Sequence, residues 1–164
     1  FASNIVNGLA VAASSYTGRF LGAQKPWLAE EYSKQISRMG LMFSIVMGSG
    51  FVLAGGPIAR IYTSDITVIG LVALVLKIAT LIIVPQNYLA IISGSLRGAG
   101  DTKWPLVSSV IGMVVARVSL AAIFVRVFHW GLPGAWMAAV ADQSIRSVLI
   151  YYRFKTGKWK QIEV

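Results

Sequence analysis

Residues 96–105 read Leu96-Arg97-Gly98-Ala99-Gly100-Asp101-Thr102-Lys103-Trp104-Pro105 and lie between two long apolar segments. The stretch combines two cations, one anion, two glycines and a proline. Irregular backbone exposed to lipid does not occur inside the hydrocarbon of a bilayer, because no water is present there to satisfy it. The stretch therefore predicts a turn at a membrane surface, with a membrane-spanning helix on each side.

The amino-acid composition also indicates a membrane protein. Of the 164 residues, 56% are hydrophobic and 13% are charged, and the mean hydropathy is +0.70. Soluble globular domains carry about 25% charged residues, so a soluble domain of this composition would expose a large apolar surface. We therefore predict an all-α, polytopic transmembrane helix bundle.

Several function classes are excluded by what the sequence lacks. The chain has no cysteine and a single histidine, which argues against a disulfide framework or a zinc site. It has no glycine-rich phosphate-binding loop, no nucleophile elbow and no acid–base pair outside the apolar segments. The net charge is +9, but the cations stand at the ends of apolar segments and not on one aromatic-bearing face. We predict no enzyme activity, no cofactor or metal, and no nucleic-acid partner.

The apolar segments predict five spans, at residues 1–21, 39–61, 68–96, 104–128 and 134–152. Residues 29–38 read as a separate, short amphipathic helix at the interface. Gly18 and Gly22 have the spacing that lets two helices approach closely. The first residue is Phe1, with no preceding methionine or signal peptide, and we expect the chain to be part of a longer one.

The distribution of lysine and arginine predicts the orientation. Most of these cations fall in or beside the first loop, the third loop and the tail: Arg19, Lys25, Lys34, Arg38, Arg97, Lys103, Arg153, Lys155, Lys158 and Lys160. The second and fourth loops have only Arg60 and Arg126 beside them. The positive-inside rule therefore places the C-terminus in the cytoplasm of a protein of the inner (plasma) membrane. The basic tail around Trp159 is expected to anchor to anionic headgroups.

Three motifs resemble those of the multidrug and toxic compound extrusion (MATE) family. Residues 97–105, RGAGDTKWP, resemble its R-G-x-G-D-T-x-x-P turn; residues 18–23, GRFLGA, and 131–136, GLPGAW, are similar to two helix ends. The resemblance implies the eighth to twelfth helices of a transporter with two six-helix lobes. It further implies an antiporter that expels cationic or amphipathic compounds in exchange for Na⁺ or H⁺. The N-terminal lobe of the same chain would be a partner, and this segment alone is expected to transport nothing.

Intramembrane polar residues give the candidate binding site, because such residues are usually paired or functional. Asp142 is the one acidic residue inside a predicted span. We favour a structural ion pair with Arg146, one helical turn on, or with Arg117; direct contact with substrate or coupling ion is the alternative. Lys77 is expected to face the cleft or the same carboxylate, or to extend towards the interface.

The middle of the third span contains a proline and two amides, Pro85, Gln86 and Asn87. For the amides, a hydrogen bond between helices is the favoured role and contact with substrate is the alternative. Some members of the resembled family carry a cation-coordinating acid in this helix, and by spacing Gln86 takes that place. The coupling site is therefore expected in the missing lobe. Arg97, Asp101 and Lys103 are a candidate conformational turn, whose salt bridges would stabilise one transporter state.

Two alternatives remain. The first is a lipid-linked precursor flippase of the same superfamily, which the intramembrane cations Lys77, Arg117 and Arg146 favour because cations suit an anionic cargo. The second belongs to another class, a non-transporting membrane scaffold or a small oligomeric channel. That alternative requires the five helices to be a complete protein.

Overall fold

The computed structural model describes residues 2–62 and 65–162, which form helices joined by short turns. The helices are α1 (Ala2–Gly22), α2 (Pro26–Tyr62), α3 (Ile66–Gly98), α4 (Lys103–Val110), α5 (Val118–Ala122) and α6 (Gly131–Lys155). The π-helical segment Ile111–Arg117 joins α4 to α5, and a second one, Ile123–Val127, extends α5, so that one continuous helix runs over Lys103–Val127. A 3₁₀ turn at Lys158–Gln161 follows α6. No strand occurs among the described residues, and the all-α prediction is confirmed.

Within the described residues, three helices are long and apolar enough to cross a membrane, at Pro26–Ala54, Ile66–Gly98 and Lys103–Val127. The polytopic membrane class is thereby confirmed. The predicted spans at residues 1–21 and 134–152 fall on α1 and α6, which are not among these three helices, so the count of five spans stays a prediction. Phe1 lies outside the described residues. Which residues of each helix lie within the bilayer stays a prediction.

The separate interfacial helix predicted at residues 29–38 is wrong, because α2 runs unbroken through this segment from Pro26 to Tyr62. A proline is well placed at the first position of a helix, and no second proline occurs before Pro57. The buried face of the segment carries small and apolar side chains, and the Ser33 hydroxyl lies 3.1 Å from that of Thr17 in α1. Most charged side chains of the segment are exposed. The segment is therefore part of a long helix of the bundle, and its depth in the membrane stays a prediction.

The α1 and α3 helices meet backbone to backbone at Gly94 and Gly98. A Cβ atom on Gly98 would lie 2.1 Å from the carbonyl oxygen of Ser14, and one on Gly94 would lie 2.3 Å from that of Ala10. Only glycine permits this approach. The predicted Gly18/Gly22 contact is half right: Gly18 faces Gly98, whereas Gly22 has open space beside it.

One end of the bundle is closed by a buried apolar cluster under the tail. Trp159 is fully buried, stacks on Phe154 with 5.1 Å between ring centroids, and donates its indole N–H to the Phe154 carbonyl. The cluster comprises Ala29, Leu89, Ile92, Leu96, Ala99, Ile150, Phe154 and Trp159. The predicted headgroup anchor at Trp159 is therefore wrong, because this end of the bundle offers the indole a better-packed apolar site with a hydrogen-bond acceptor.

The α6 helix is tied to the middle of α3 beside Pro85. The Ser147 hydroxyl donates a hydrogen bond of 2.6 Å to the Pro85 carbonyl oxygen, and α3 continues as a helix through the proline. This contact fixes the part of α6 that carries Asp142 and Arg146.

Candidate functional site

The 96–105 turn is fastened to the end of α6 by a buried ion pair. Arg153 Nε donates to Asp101 Oδ2 at 2.6 Å, and the two side chains are 15% and 4% exposed. The Arg153 guanidinium also lies over the Trp104 ring, 5.2 Å from its centroid. Asp101 thus binds a neighbouring helix, and the turn is locked to the bundle.

Sequence reasoning missed Arg153, the partner of Asp101, although its place in the last turn of α6 was a usable signal. The antiparallel order of the helices brings that turn to the same end of the bundle as Asp101. Arg97 and Lys103, the other residues predicted for the conformational turn, are exposed. Among the described residues, neither takes part in an ion pair.

In the middle of α6, in contrast to its end, a buried carboxylate is not paired with an arginine. Asp142 is 1% exposed, and neither of its carboxylate oxygens has a hydrogen-bond partner among the described residues. The predicted ion pair with Arg146 or Arg117 is therefore wrong. Arg146 points its Nη2 at the Ser109 hydroxyl, 2.8 Å away, and Arg117 is exposed.

The Asp142 and Arg146 side chains both lie directly over Gly112, in the π-helical segment of the facing helix. A Cβ atom there would stand 2.3 Å from Asp142 Oδ1 and 2.1 Å from Arg146 Cδ. The glycine thus leaves room for both polar side chains between the two helices. A buried carboxylate without partners is costly, and such groups mark functional sites in membrane proteins.

A polar cavity of about 500 Å³ opens beside Arg146, between α3, α6 and the Lys103–Val127 helix. Its polar lining consists of Gln86, Ser93, Arg97, Thr102, Ser109, Gln143 and Arg146. The structure thereby brings together three of the predicted residues: Gln86, Arg97 and Arg146. The cavity residues Ser109 and Gln143 were missed, although an amide next to Asp142 within a predicted span was a readable signal.

The two adjacent amides of α3 face different parts of the structure. Asn87 is buried and donates through Nδ2 to the Ser44 hydroxyl at 2.7 Å, which links α3 to α2. Gln86 is exposed towards the polar cavity. The bridging geometry thus holds for Asn87, while Gln86 is placed where it can contact a ligand.

Lys77 is exposed on α3 and is not among the residues that line the polar cavity. Among the described residues it makes no ion pair, so the expected approach to the Asp142 carboxylate is not observed. The α2, α3 and α6 helices also border a larger groove of about 950 Å³. This groove is lined mainly by aliphatic and aromatic side chains, such as Leu41, Val84 and Tyr151, and offers few polar groups to orient a ligand.

Comparison with known proteins agrees with this architecture. The MatE family model matches residues 1–123. The probable multidrug resistance protein NorM of Thermotoga maritima is 34% identical over 161 residues, which cover 94% of this chain and 33% of that protein. The protein of the same description from Idiomarina loihiensis is 30% identical over 152 residues, or 90% of this chain and 33% of that protein.

A solved structure has the same fold. It is described as the outward-facing conformation of a multidrug resistance MATE family transporter of the MOP superfamily. It superposes with a TM-score of 0.83 at 20% identity, covering 92% of this chain and 33% of that one. The present chain therefore spans about a third of the length of the relatives it matches.

The fold and the buried polar site define a multi-pass helical membrane protein. The family match covers most of the sequence, and the chain belongs to the MatE family.

Proposed function

We propose that this chain forms part of a secondary active antiporter that exports amphipathic or cationic organic compounds in exchange for Na⁺ or H⁺. The observation that carries the proposal is the MatE match over residues 1–123. The 34% identity to a protein described as a probable multidrug resistance protein supports it. The chain would supply most of one lobe, in the inner (plasma) membrane, with its C-terminus in the cytoplasm.

The geometry of the described helices suits a transporter lobe. The glycine seam between α1 and α3 and the Asp101–Arg153 pair make one end of the bundle rigid. The middle of α6 holds a buried, unpartnered carboxylate beside a polar cavity. Intramembrane ionisable groups that face a cavity are typical of ion and substrate pathways.

The test is transport by the full-length protein in proteoliposomes, with ethidium as the cationic amphipathic substrate. Imposed Na⁺ and pH gradients are applied in separate experiments. We expect uptake against the ethidium gradient with one of the two ions, and its loss in Asp142→Asn. Lys77→Ala is expected to lower the rate, whereas Arg126→Gln, an exposed cation outside the cavity, serves as the matched control.

One result would contradict this proposal, and a second would contradict only its site residues. Absence of transport under either gradient argues against an antiporter for such compounds. Normal transport by both Asp142→Asn and Lys77→Ala leaves the antiporter in place but removes these residues from its site.

A lipid-linked precursor flippase is a second candidate because two arginines, Arg97 and Arg146, line the polar cavity. Cations in such a place suit an anionic cargo. The two candidates differ in a transbilayer assay with an undecaprenyl-pyrophosphate-linked sugar. Movement of that lipid together with no ethidium transport favours the flippase.

A further inference from the structure

The larger groove bordered by α2, α3 and α6 carries positive charge at one end. Lys34 and Arg38 line this charged end, and among the described residues no aspartate or glutamate lines the groove. Along α2 the groove continues from Arg38 to Val52, a distance of roughly 21 Å at about 1.5 Å per helical residue. This length exceeds half of the roughly 30 Å hydrocarbon core, which is the thickness of one leaflet.

The acidic residues near the charged end do not neutralise it. Glu30 forms ion pairs with two lysines, with Lys34 at 2.5 Å and with Lys160. The neighbouring Glu31 is exposed and accepts a hydrogen bond of 3.4 Å from the side chain of Gln35. One carboxylate is thus shared by two cations, which leaves an excess of positive charge.

Two further cations at this end add to the excess. Among the described residues, neither Arg38 nor Lys155 forms an ion pair. Arg38 is exposed, and the Lys155 ammonium lies 5.9 Å from the centroid of the Tyr151 ring, which lines the groove. Basic groups between helices at the cytoplasmic face bind anionic lipid headgroups, and the distribution of lysine and arginine predicts that face for this end.

The body of the groove offers few hydrogen bonds to a ligand. Most of its hydroxyl groups are used within the bundle: Ser44, Ser144 and Ser147 each donate to a backbone carbonyl at 2.6–2.8 Å, and Thr80 does so at 3.1 Å. The remaining surface is aliphatic or aromatic, as at Ile45, which is 59% exposed. A site that orients a polar compound needs free polar groups, whereas a hydrocarbon chain needs none.

We infer that this groove binds one anionic phospholipid of the cytoplasmic leaflet. Its phosphate would lie at Lys34, Arg38 and Lys155, and one acyl chain would lie along the apolar body. A guanidinium matches phosphate oxygens with parallel hydrogen bonds, so Arg38 is the main headgroup partner. The lipid is a bound component and not a transported one. The inference requires neither a substrate nor a coupling ion, and it therefore goes beyond the proposed function.

The experiment is a lipid titration of the full-length protein in dodecyl maltoside, followed by native mass spectrometry. The two probes are phosphatidylglycerol and phosphatidylcholine with the same acyl chains. We expect the first phosphatidylglycerol to bind at least about fivefold more tightly than the first phosphatidylcholine, the factor that one cation near the headgroup contributes.

Substitutions at the charged end test the headgroup. Arg38→Gln and Lys155→Gln are each expected to weaken phosphatidylglycerol binding by up to about fivefold and to leave phosphatidylcholine binding unchanged. Arg126→Gln is the matched control, because Arg126 is an exposed cation that does not line the groove. All three positions are exposed, so folding of the variants is not at risk.

A second pair of substitutions tests the acyl chain. Ile45→Trp places an indole in the body of the groove and is expected to weaken both lipids by about tenfold, as two displaced methylene groups would. Met42→Trp is the matched control, since Met42 is on the same helix, is 68% exposed and does not line the groove.

Three results would overturn the inference. The first is equal affinity for the two lipids, and the second is phosphatidylglycerol binding that neither Arg38→Gln nor Lys155→Gln weakens. The third is lipid binding that Ile45→Trp leaves unchanged. If that substitution instead lowers the unfolding temperature and no lipid binds, another part of the full-length chain covers the groove, which also contradicts a lipid site.

Discussion

A carboxylate and an arginine form an ion pair at the end of α6, whereas a carboxylate and an arginine in its middle do not. At the end, Arg153 and Asp101 form an ion pair of 2.6 Å between neighbouring elements. In the middle, Asp142 and Arg146 lie one helical turn apart, yet the carboxylate has no hydrogen-bond partner in the described part of the chain and the guanidinium reaches Ser109 instead.

The difference shows that proximity in sequence does not make an ion pair inside this bundle. At the end, the Asp101 and Arg153 side chains come from different elements and approach each other directly. In the middle, both side chains must cross the face of Gly112, and the stem of Arg146 carries its guanidinium past the carboxylate to the cavity. The end therefore holds neighbouring elements together, whereas the middle leaves the Asp142 carboxylate and the Arg146 Nε without partners among the described residues.

The largest effect is expected from breaking the pair at the end with Asp101→Asn. The substitution leaves Arg153 buried without its counter-charge, which costs about 3–5 kcal/mol when one partner of a buried pair is removed. Unfolding in mixed micelles of dodecyl sulfate and dodecyl maltoside measures it. The double variant Asp101→Asn/Arg153→Gln should be less destabilised than the sum of the two single variants. If the losses in free energy of unfolding simply add, the two residues are not coupled.

A smaller loss is expected when α1 and α3 are forced apart by Gly98→Ala. The added Cβ would lie 2.1 Å from a backbone oxygen that has no freedom to rotate away, and overpacking of this kind costs about 1–3 kcal/mol. Gly22→Ala is the matched control, because nothing lies within 4 Å of its Cβ position. Equal unfolding midpoints for the two variants would contradict the backbone seam.

In the middle of α6, removal of a carboxylate charge should stabilise the protein and not destabilise it. Asp142→Asn removes a buried carboxylate that has no hydrogen-bond partner among the residues the structure describes. The substitution should raise the free energy of unfolding by about 1–2 kcal/mol, since an unpaired buried charge opposes folding. The same unfolding assay measures it, beside the transport assay in which this variant is expected to fail. A destabilised Asp142→Asn would show that the carboxylate is a structural group like Asp101.

The smallest change in stability is expected at the two neighbouring amides of α3, where only one of the two substitutions should destabilise the protein. Asn87→Ala removes a buried hydrogen bond of 2.7 Å to Ser44 and should cost about 1 kcal/mol. Gln86→Ala should leave stability unchanged, because that side chain is exposed to the cavity. A lower unfolding temperature for Gln86→Ala than for Asn87→Ala would show that Gln86, and not Asn87, is the structural amide.

The sequence predicted the fold class and the helix order well, because both depend on local chemistry. Apolar segments of membrane-crossing length, separated by turns with charges and glycine, indicate helices wherever the chain folds in lipid. Residues 29–38 were the exception. Their amphipathic pattern also suits a short helix at the interface, and only the structure shows that α2 continues through the segment and buries its small and apolar face.

The candidate site was predictable in its membership and not in its arrangement. Asp142, Arg146 and Gln86 stand out in sequence, because polar groups within apolar segments are rare and costly. Their neighbours could not be read in the same way, because Ser109 and Gly112 belong to the facing helix, Lys103–Val127. Their positions follow from how the helices cross.

Sequence alone determined that this chain forms membrane-spanning helices, that its surface turns carry the charges, and which family it resembles. Those properties follow from the transfer of each segment between water and lipid, which depends on the segment's own residues. Tertiary structure alone decided that Asp101 is paired and Asp142 is not, and that two arginines meet at one cavity. Such outcomes depend on distances of a few ångströms between helices, which the glycine contacts of the bundle set.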